Sequence, residues 1–385
     1  MHSHHSHSAA FCSHAHPGSS PQIMLERATE LGFHTYGLSE HVPRQFESEL
    51  YPEEREEGST PAKLLAKWQA YLVEARRMQN EYRTKAKGKE RAVPNVLVGA
   101  ETENLCPSTL AWLKAEVLRT PGEEQRAAAV GKGVVDYLVG SVHHAGGFAS
   151  PCRPARDAGI PIDFDAATFN DALDHFGGQS EEAHLQLCLA YLDAQYSLIN
   201  ELRPEVIGHF DLCRLFRPQT ELLKMGAAAN SLQLEVSQAC TRNISLAASY
   251  GALFEINSAS CRKGWATPYP AADVLREILR LGGRVCLSDD AHGPTHVAIS
   301  YDQSRRYLME MRVETLWHLE LDEERNQEEA GLLEDESMRR AREASEKPGE
   351  GAPVRFLRGT RAKGVTGWAD DPFWARLSAL REQGP

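Results

Sequence analysis

Six of the first sixteen residues are histidines: His2, His4, His5, His7, His14 and His16. Imidazole nitrogens are ligands for borderline transition metals, so a run this dense reads as part of a metal site. An appended purification tag has a similar composition. Against it stand the interrupting serines, the Phe11-Cys12 pair and further acid and imidazole positions downstream. His41, Glu101, His143, His209 and Asp290 share one context, each following directly on a short apolar run of strand character. Imidazoles and carboxylates without paired thiolates suit Zn, Fe or Mn, and a donor set of this size can hold more than one ion. Closely spaced ions need a shared ligand, and Glu101 is placed to bridge them. Such ions lower the pKa of bound water and offset charge on phosphoryl oxygens, which is the chemistry of phosphoester hydrolysis.

The elements that must position these residues alternate. Strand patterns at Thr35–Leu38, Asn95–Ala100, Asp136–Val142, Glu205–Gly208, Ala252–Ile256 and Arg284–Leu287 are separated by helical spacings. The helical stretches are Pro21–Leu31, Pro61 to about Lys85, Ser108 to about Leu118, two within Ala166–Arg203, most of Pro218–Tyr250, Pro270–Leu281 and Pro294–Met311. Alternation of this kind predicts a parallel sheet or barrel, and the loops at the C-terminal ends of barrel strands are where active sites are built. Almost nothing precedes His5, so a first strand there must be very short. Pro43–Thr60 reads as a polar surface loop, and the Gly- and Pro-rich Ala145–Phe164 as a long functional loop.

The chain has 385 residues, 42% hydrophobic and 25% charged, which is the balance of a globular protein. No apolar run reaches the roughly 20 residues a membrane span needs, and no signal peptide follows Met1, so a cytoplasmic location is expected. The net charge of -12 disfavours nucleic acid and anionic membranes as partners. From Glu320 to Glu350 there are 12 acidic and 5 basic residues, a local excess of -7. Eight cysteines are scattered without a CxxC pair and read as reduced, mostly buried apolar residues. A barrel over 1–320 and a charged, partly disordered C-terminal extension over 321–385 are therefore expected. Trp368–Leu380 could dock as a short amphipathic helix.

In order along the chain, HSH, FCSHA, YGLSEH, GAETE, GSVHH, GHFDL, EINSASCRKG with PYP, and SDDAH resemble the motifs of the PHP (polymerase and histidinol phosphatase) superfamily. They are most similar to its histidinol-phosphate phosphatase branch, particularly fungal members. The resemblance covers about residues 1–320. It implies a distorted (β/α)7 TIM-like barrel with about three divalent or transition metal ions (Zn, Mn or Fe). His5, His7, Glu101 and Asp290 would hold one ion, Glu101, His143 and His209 the second, and His14, His41 and His292 the third. The implied activity is hydrolysis of L-histidinol phosphate, a step of histidine biosynthesis. A hydroxide bridging the ions would be the nucleophile, and Glu101, Asp290 and His292 would be the residues nearest the chemistry. No covalent phosphoenzyme is implied.

Arg262 and Lys263 match the branch's basic positions, and a guanidinium fork suits phosphate oxygens. Arg44 and His144 are further candidates for substrate contact. Asp211 and Asp289 could orient ligand imidazoles, and Glu103 reads as a supporting carboxylate. Two registers stay open at the N-terminus, because His2-x-His4 is also an HxH and His16 could stand in for His14. His34, His175, His184, His296 and His318 lie outside the strand-end motifs and read as ordinary surface or buried residues. The alternatives to histidinol phosphate hydrolysis are action on another small phosphomonoester and a non-catalytic metal-binding barrel. Oligomeric state is not expressed in these patterns.

Overall fold

The computed structural model describes residues 1–88, 92–117, 134–147, 159–224, 226, 229–323, 354–356 and 358–382. Its strands are β1 (His2–Ser3), β2 (Thr35–Leu38), β3 (Asn95–Glu101), β4 (Tyr137–Gly140), β5 (His144–Ala145), β6 (Ile160–Pro161), β7 (Val206–Ile207), β8 (Leu253–Asn257), β9 (Arg284–Ser288), β10 (Thr315–Leu321) and β11 (Thr360–Thr366). Seven of them form one parallel sheet in the order β1-β2-β3-β4-β7-β8-β9. Just past the ends of β1 and β9, Ser6 and Ala291 form an isolated parallel bridge, with His7 N donating to Ala291 O at 2.7 Å. The sheet thus curls into a nearly closed (β/α)7 barrel of the TIM-like kind. Helices cover its outside, so both strand faces are buried, as every residue of β4 and β8 is.

Tyr137 fills the narrow interior. A Cβ at Gly99 would lie 2.3 Å from its ring, and one at Gly37 would lie 2.0 Å from its hydroxyl, so only glycine allows the ring to cross here. The hydroxyl donates to His4 O at 2.7 Å and so fixes the N-terminal segment against the barrel. Outside, the long helix Pro61–Gly88 is held through Arg76 and Gln79, which contact the carboxylate of Asp136 at 2.5 and 2.7 Å at the start of β4.

Four stretches differ from the sequence expectation. Pro43–Thr60 contains a 3-10 turn, Glu47–Glu49, and a short helix, Pro52–Glu56, whose Glu49 and Glu54 side chains accept the N–H groups of Phe46 and Tyr51. The described parts of Ala145–Phe164 carry an antiparallel hairpin, β5 with β6, anchored where Ile162 N donates to His143 O at 2.9 Å. Residues 148–158 of that expected loop lie outside the described residues. Pro294–Met311 is a 3-10 turn, Pro294–His296, then a helix, Tyr301–Glu310. They are separated by left-handed backbone at Ala298 and Ser300, which a continuous helix does not tolerate.

The fourth is the C-terminal region. Instead of a flexible tail, Thr360–Thr366 pairs antiparallel with Thr315–Leu321, from Thr315 opposite Thr366 to Leu321 opposite Thr360. The short helix expected within Trp368–Leu380 is present as Pro372–Glu382 and docks, with Phe373 against Phe33 at a ring-centroid distance of 5.0 Å. Arg358 reaches beneath β7 to Glu205, with Nη1 3.0 Å from Oε2 and both side chains buried. Most of the acidic stretch of the expected charged extension, residues 324–353, lies outside the described residues. Among the described residues, no helix is long and apolar enough to cross a membrane.

Candidate metal centre and substrate cavity

The strand ends deliver their polar residues to one place because each strand is cut off at the same level of the barrel. Glu101 ends β3, Val42 N donates to its carbonyl at 3.0 Å, and its own N–H donates to Glu40 O at 3.0 Å, so the two loops share a short parallel bridge. The Glu101 carboxylate is ringed by imidazoles. Oε1 lies 3.1 Å from His5 Nε2 and 3.2 Å from both His143 Nε2 and His209 Nε2. Oε2 lies 2.9 Å from His41 Nδ1 and 3.3 Å from His7 Nε2. Burial opposes ionisation of Glu101, yet the imidazoles, His5 first, hold its pKa well below the usual carboxylate range. Asp290 closes the set, 3.7 Å from His5 Nε2 and 3.5 Å from His7 Nε2. Its left-handed φ of 46° turns the chain after β9, and short polar side chains adopt that conformation more readily than most.

Three groups of donor atoms emerge, each with all members within 4.8 Å of one another: His5, His7 and Asp290; Glu101, His143 and His209; and His7, Cys12, His41 and His292. His14 stands beside the third, its Nε2 3.2 Å from His41 Nε2 and its ring 5.0 Å from that of His292. Buried nitrogens that have no hydrogen-bond partner, among them His5 Nε2, His7 Nε2 and His41 Nδ1, face this centre. Neutral imidazoles and carboxylates left unsatisfied at such density fit divalent transition metals.

The geometry also separates the two N-terminal registers. His5 and His7 point into the mouth, whereas His2 and His4 turn away, their Nε2 atoms accepting Leu287 N at 2.8 Å and Leu319 N at 3.1 Å. His14 and His16 are both exposed, but His14 lines the cavity over the centre while His16 bonds through Nδ1 to Pro17 O at 2.9 Å.

Behind the imidazoles stand carboxylates that fix their orientation. Glu255 faces His5 Nδ1 at 3.1 Å, Glu40 faces His7 Nδ1 at 3.6 Å, Glu53 faces His14 Nδ1 at 3.6 Å, and Glu103 contacts His143 Nδ1. A carboxylate on the outer nitrogen fixes the tautomer and raises the basicity of the inner one. Burial opposes charge on His7, but Asp290, Glu101 and Glu40 raise its pKa to about 10, a measure of how strongly the pocket favours positive charge. Glu40 and Glu255 were missed in the sequence. For Glu255 the available signal was an acid inside an otherwise apolar strand run, since a buried charge there needs a partner; Glu40, two residues past the end of β2, carried no such signal. Asp211 and Asp289, expected in this role, do other work. Asp211 pairs with Arg214 at 2.6 Å and accepts Ala271 N, and Asp289 accepts Ser3 Oγ and Ala298 N, both at 2.8 Å, so each fixes backbone and neighbouring side chains.

Above the centre opens a cavity of about 330 Å³. Arg262, at the end of the short helix Ala259–Arg262 after β8, lines it with Nη1 2.5 Å from His296 Nδ1, and Lys263 follows. His296, expected to be an ordinary residue, is thus at the wall. Burial and then the Arg262 charge lower its pKa to about 4, leaving its nitrogen free to accept the guanidinium N–H. The structure does not bring Arg44 or His144 to the wall. Arg44 is buried under Tyr51, 4.4 Å from its ring centroid, and His144 packs on the same ring and on Glu103, with Nδ1 3.0 Å from Oε2. Tyr51 itself lines the cavity and separates both from it.

Fold and site together define a (β/α)7 barrel with a histidine- and carboxylate-rich metal-binding centre at its C-terminal mouth. Residues 3–259 match the PHP domain, and the chain belongs to the PHP domain family. It is 36% identical over 318 residues to a Schizosaccharomyces pombe protein provisionally named a histidinol-phosphatase, covering 82% of this chain and 88% of that protein. It is 30% identical over 344 residues to the histidinol-phosphatase of Saccharomyces cerevisiae, covering 83% and 92%. A crystal structure from Listeria monocytogenes, provisionally named a histidinol phosphatase, superposes with a TM-score of 0.56 at 20% identity over 78% of this chain and 99% of that one, which establishes the shared fold.

Proposed function

We propose that this chain is a histidinol-phosphatase, hydrolysing L-histidinol phosphate to L-histidinol and phosphate as a step of histidine biosynthesis. The observation that carries the reading is the pairing of the imidazole-ringed Glu101 with the Arg262 guanidinium on one cavity wall. The two yeast relatives, both named for this activity, support it. We assign about three divalent or transition ions, Zn, Mn or Fe, to His5, His7, His14, His41, Glu101, His143, His209, Asp290 and His292. When bound, such ions supply an acidified water and positive charge for the phosphoryl oxygens.

The chain's own residues do the rest. Arg262, steered by its contact with His296, presents a fork of N–H donors to the phosphate, and Lys263 adds a point charge at the same wall. Glu255, Glu40, Glu53 and Glu103 hold the ligand imidazoles so that their inner nitrogens do not need to reorganise, which is the preorganisation that electrostatic catalysis requires. Arg44 and His144 support the wall through Tyr51 in this reading.

The test is phosphate release from L-histidinol phosphate, a nucleoside monophosphate and p-nitrophenyl phosphate, by protein of counted metal content and by a chelated control. A strong, metal-dependent preference for L-histidinol phosphate is expected. Equal or better turnover of another ester would leave the chemistry and replace the substrate. Inactivity towards all three at full metal occupancy would favour a non-catalytic barrel.

A further inference from the structure

Four carboxylates line the cavity among the described residues: Glu53, Glu101, Asp163 and Asp290. Three of them face imidazoles: Glu53 at His14, Glu101 at the ring of five, and Asp290 at His5 and His7. Asp163 is the exception: among the described residues its ion-pair partner is Lys263, with Nζ 4.0 Å from Oδ2. It is held over the centre by main chain, because the neighbouring Ile162 N donates to the carbonyl of His143 at 2.9 Å. Beside it Phe164, 44% exposed, turns an aromatic surface to the same cavity. A carboxylate next to an uncovered ring, beside the wall that carries Arg262 and Lys263, matches a molecule with an anionic end and a cationic, ring-bearing end.

We propose that Asp163 is a specificity-determining residue, its carboxylate accepting the N–H groups of a cationic amine on the phosphate ester. This rests on the phosphatase reading above. In L-histidinol phosphate the amine and the ester oxygen are on adjacent carbons. A phosphate held between Arg262 and the ligand cluster therefore leaves the ammonium within a few bonds of the anchoring wall, on the side where Asp163 approaches Lys263. The imidazole then extends towards Phe164. An ester without an amine loses this contact and keeps the others. Asp163 moves no proton and makes no bond to phosphorus, so its effect falls on substrate choice.

The experiment compares kcat/KM for L-histidinol phosphate with kcat/KM for phenyl phosphate, in the metal-loaded full chain and in its Asp163→Asn and Asp163→Glu variants. A charge-assisted hydrogen bond lost from a cavity lowers the ratio about 10–100-fold in Asp163→Asn, chiefly through KM for L-histidinol phosphate, with partial recovery in Asp163→Glu. Inhibition by L-histidinol of phenyl phosphate turnover should weaken in step. An unchanged ratio with both esters slowed together overturns the proposal and makes Asp163 a residue that only orients Lys263. A wild-type ratio near one strikes at the substrate reading itself, before any variant is made, and takes the selection argument with it.

Discussion

Two groups of histidines occupy this barrel, both drawing on the same N-terminal run. One, including His5, His7, His41, His143, His209 and His292, meets at the C-terminal mouth. The other, His2, His4, His34 and His318, lies where β1 meets β9 and β10, with ring centroids 5.2 Å apart for His2 and His4, 5.6 Å for His2 and His318, and 5.3 Å for His34 and His318. Burial does not distinguish them, since His2, His4, His5 and His7 are all buried. Their counter-groups do. The mouth is walled by Glu40, Glu53, Glu101, Glu103, Glu255 and Asp290. The seam offers the backbone N–H groups of Leu287 and Leu319, the hydroxyl of Thr35 and the other imidazoles. Burial, then neighbouring imidazoles, lowers the pKa to about 3 at His4 and about 4 at His318, so these rings are neutral and act as hydrogen-bond acceptors and packing. An imidazole is made a metal ligand by the carboxylates around it, and without them it is a structural side chain.

The sharpest way to break this contrast is to remove the carboxylate that unites the mouth. Glu101→Ala leaves five imidazoles facing one another and strips the one carboxylate that contacts all five, the proposed bridging ligand. Bound metal should fall well below that of the wild type, and phosphate release should drop by about 10²–10³-fold or more, the scale on which a preorganised electrostatic group acts. Metal analysis of the purified variant checks the first and initial rates check the second. Retained metal and turnover would show that Glu101 does not bridge.

Next in size is a stability effect at the opposite end of the barrel. Arg358→Ala leaves Glu205 buried without its partner, although Leu138 N still donates to it at 2.9 Å. Removing one member of a buried ion pair costs about 3–5 kcal/mol. Urea unfolding should show that loss, while metal content and kcat of the folded fraction stay at wild-type values. A parallel loss of metal would mean that the two ends are coupled and the contrast between them is too simple.

A subtler change tests the outer carboxylates. Glu255→Gln keeps a hydrogen bond to His5 and to His209 N but removes the charge. Metal affinity should fall about 10–100-fold. Titration with added metal should restore activity, which it would not do if Glu255 were itself a ligand.

Much of this was legible in the chain. Strand and helix alternation predicted a parallel sheet or barrel, the resemblance to the PHP motifs implied the barrel, and the rule that strand ends build the site picked out His41, Glu101, His143, His209 and Asp290. Proximity in sequence could not choose between His2-x-His4 and His5-x-His7, because the two pairs have the same spacing and the choice depends on which parity faces the mouth beyond a strand of two residues. Glu53, Tyr51 and Asp163 were invisible for a different reason. They come from a stretch read as loop and from a hairpin, and they reach the cavity through caps and main-chain bonds that no periodicity records. The C-terminal strand β11 was hidden likewise, since Thr360–Thr366 has the Gly and basic content of a linker and becomes a strand only opposite Thr315–Leu321.

The seam histidines provide the smallest effect and the finest test of the contrast. His318 is a convenient probe because it is remote in sequence from the proposed metal ligands, stacks on His2 and meets His34 edge-on. Its folded pKa, about 4, lies below the ordinary 6.5, lowered by burial first and then by His34. In the unfolded chain the ring takes up a proton once the pH falls below about 6.5, while in the folded chain it resists until about 4. Its contribution is therefore complete above pH 6.5 and is lost progressively as the pH falls towards 4. His318→Gln cannot titrate, so its stability should decline less steeply over that window. The gap in pH dependence between it and the wild type should be on the order of 2 kcal/mol by the acid end. The metal centre responds to acid in both proteins and cancels in the difference, which urea unfolding at stepped pH values measures. Equal slopes would mean that His318 titrates in the fold as it does in the unfolded chain, with the nearby Glu320 carboxylate offsetting its burial, and the distinction between the two histidine groups would fail.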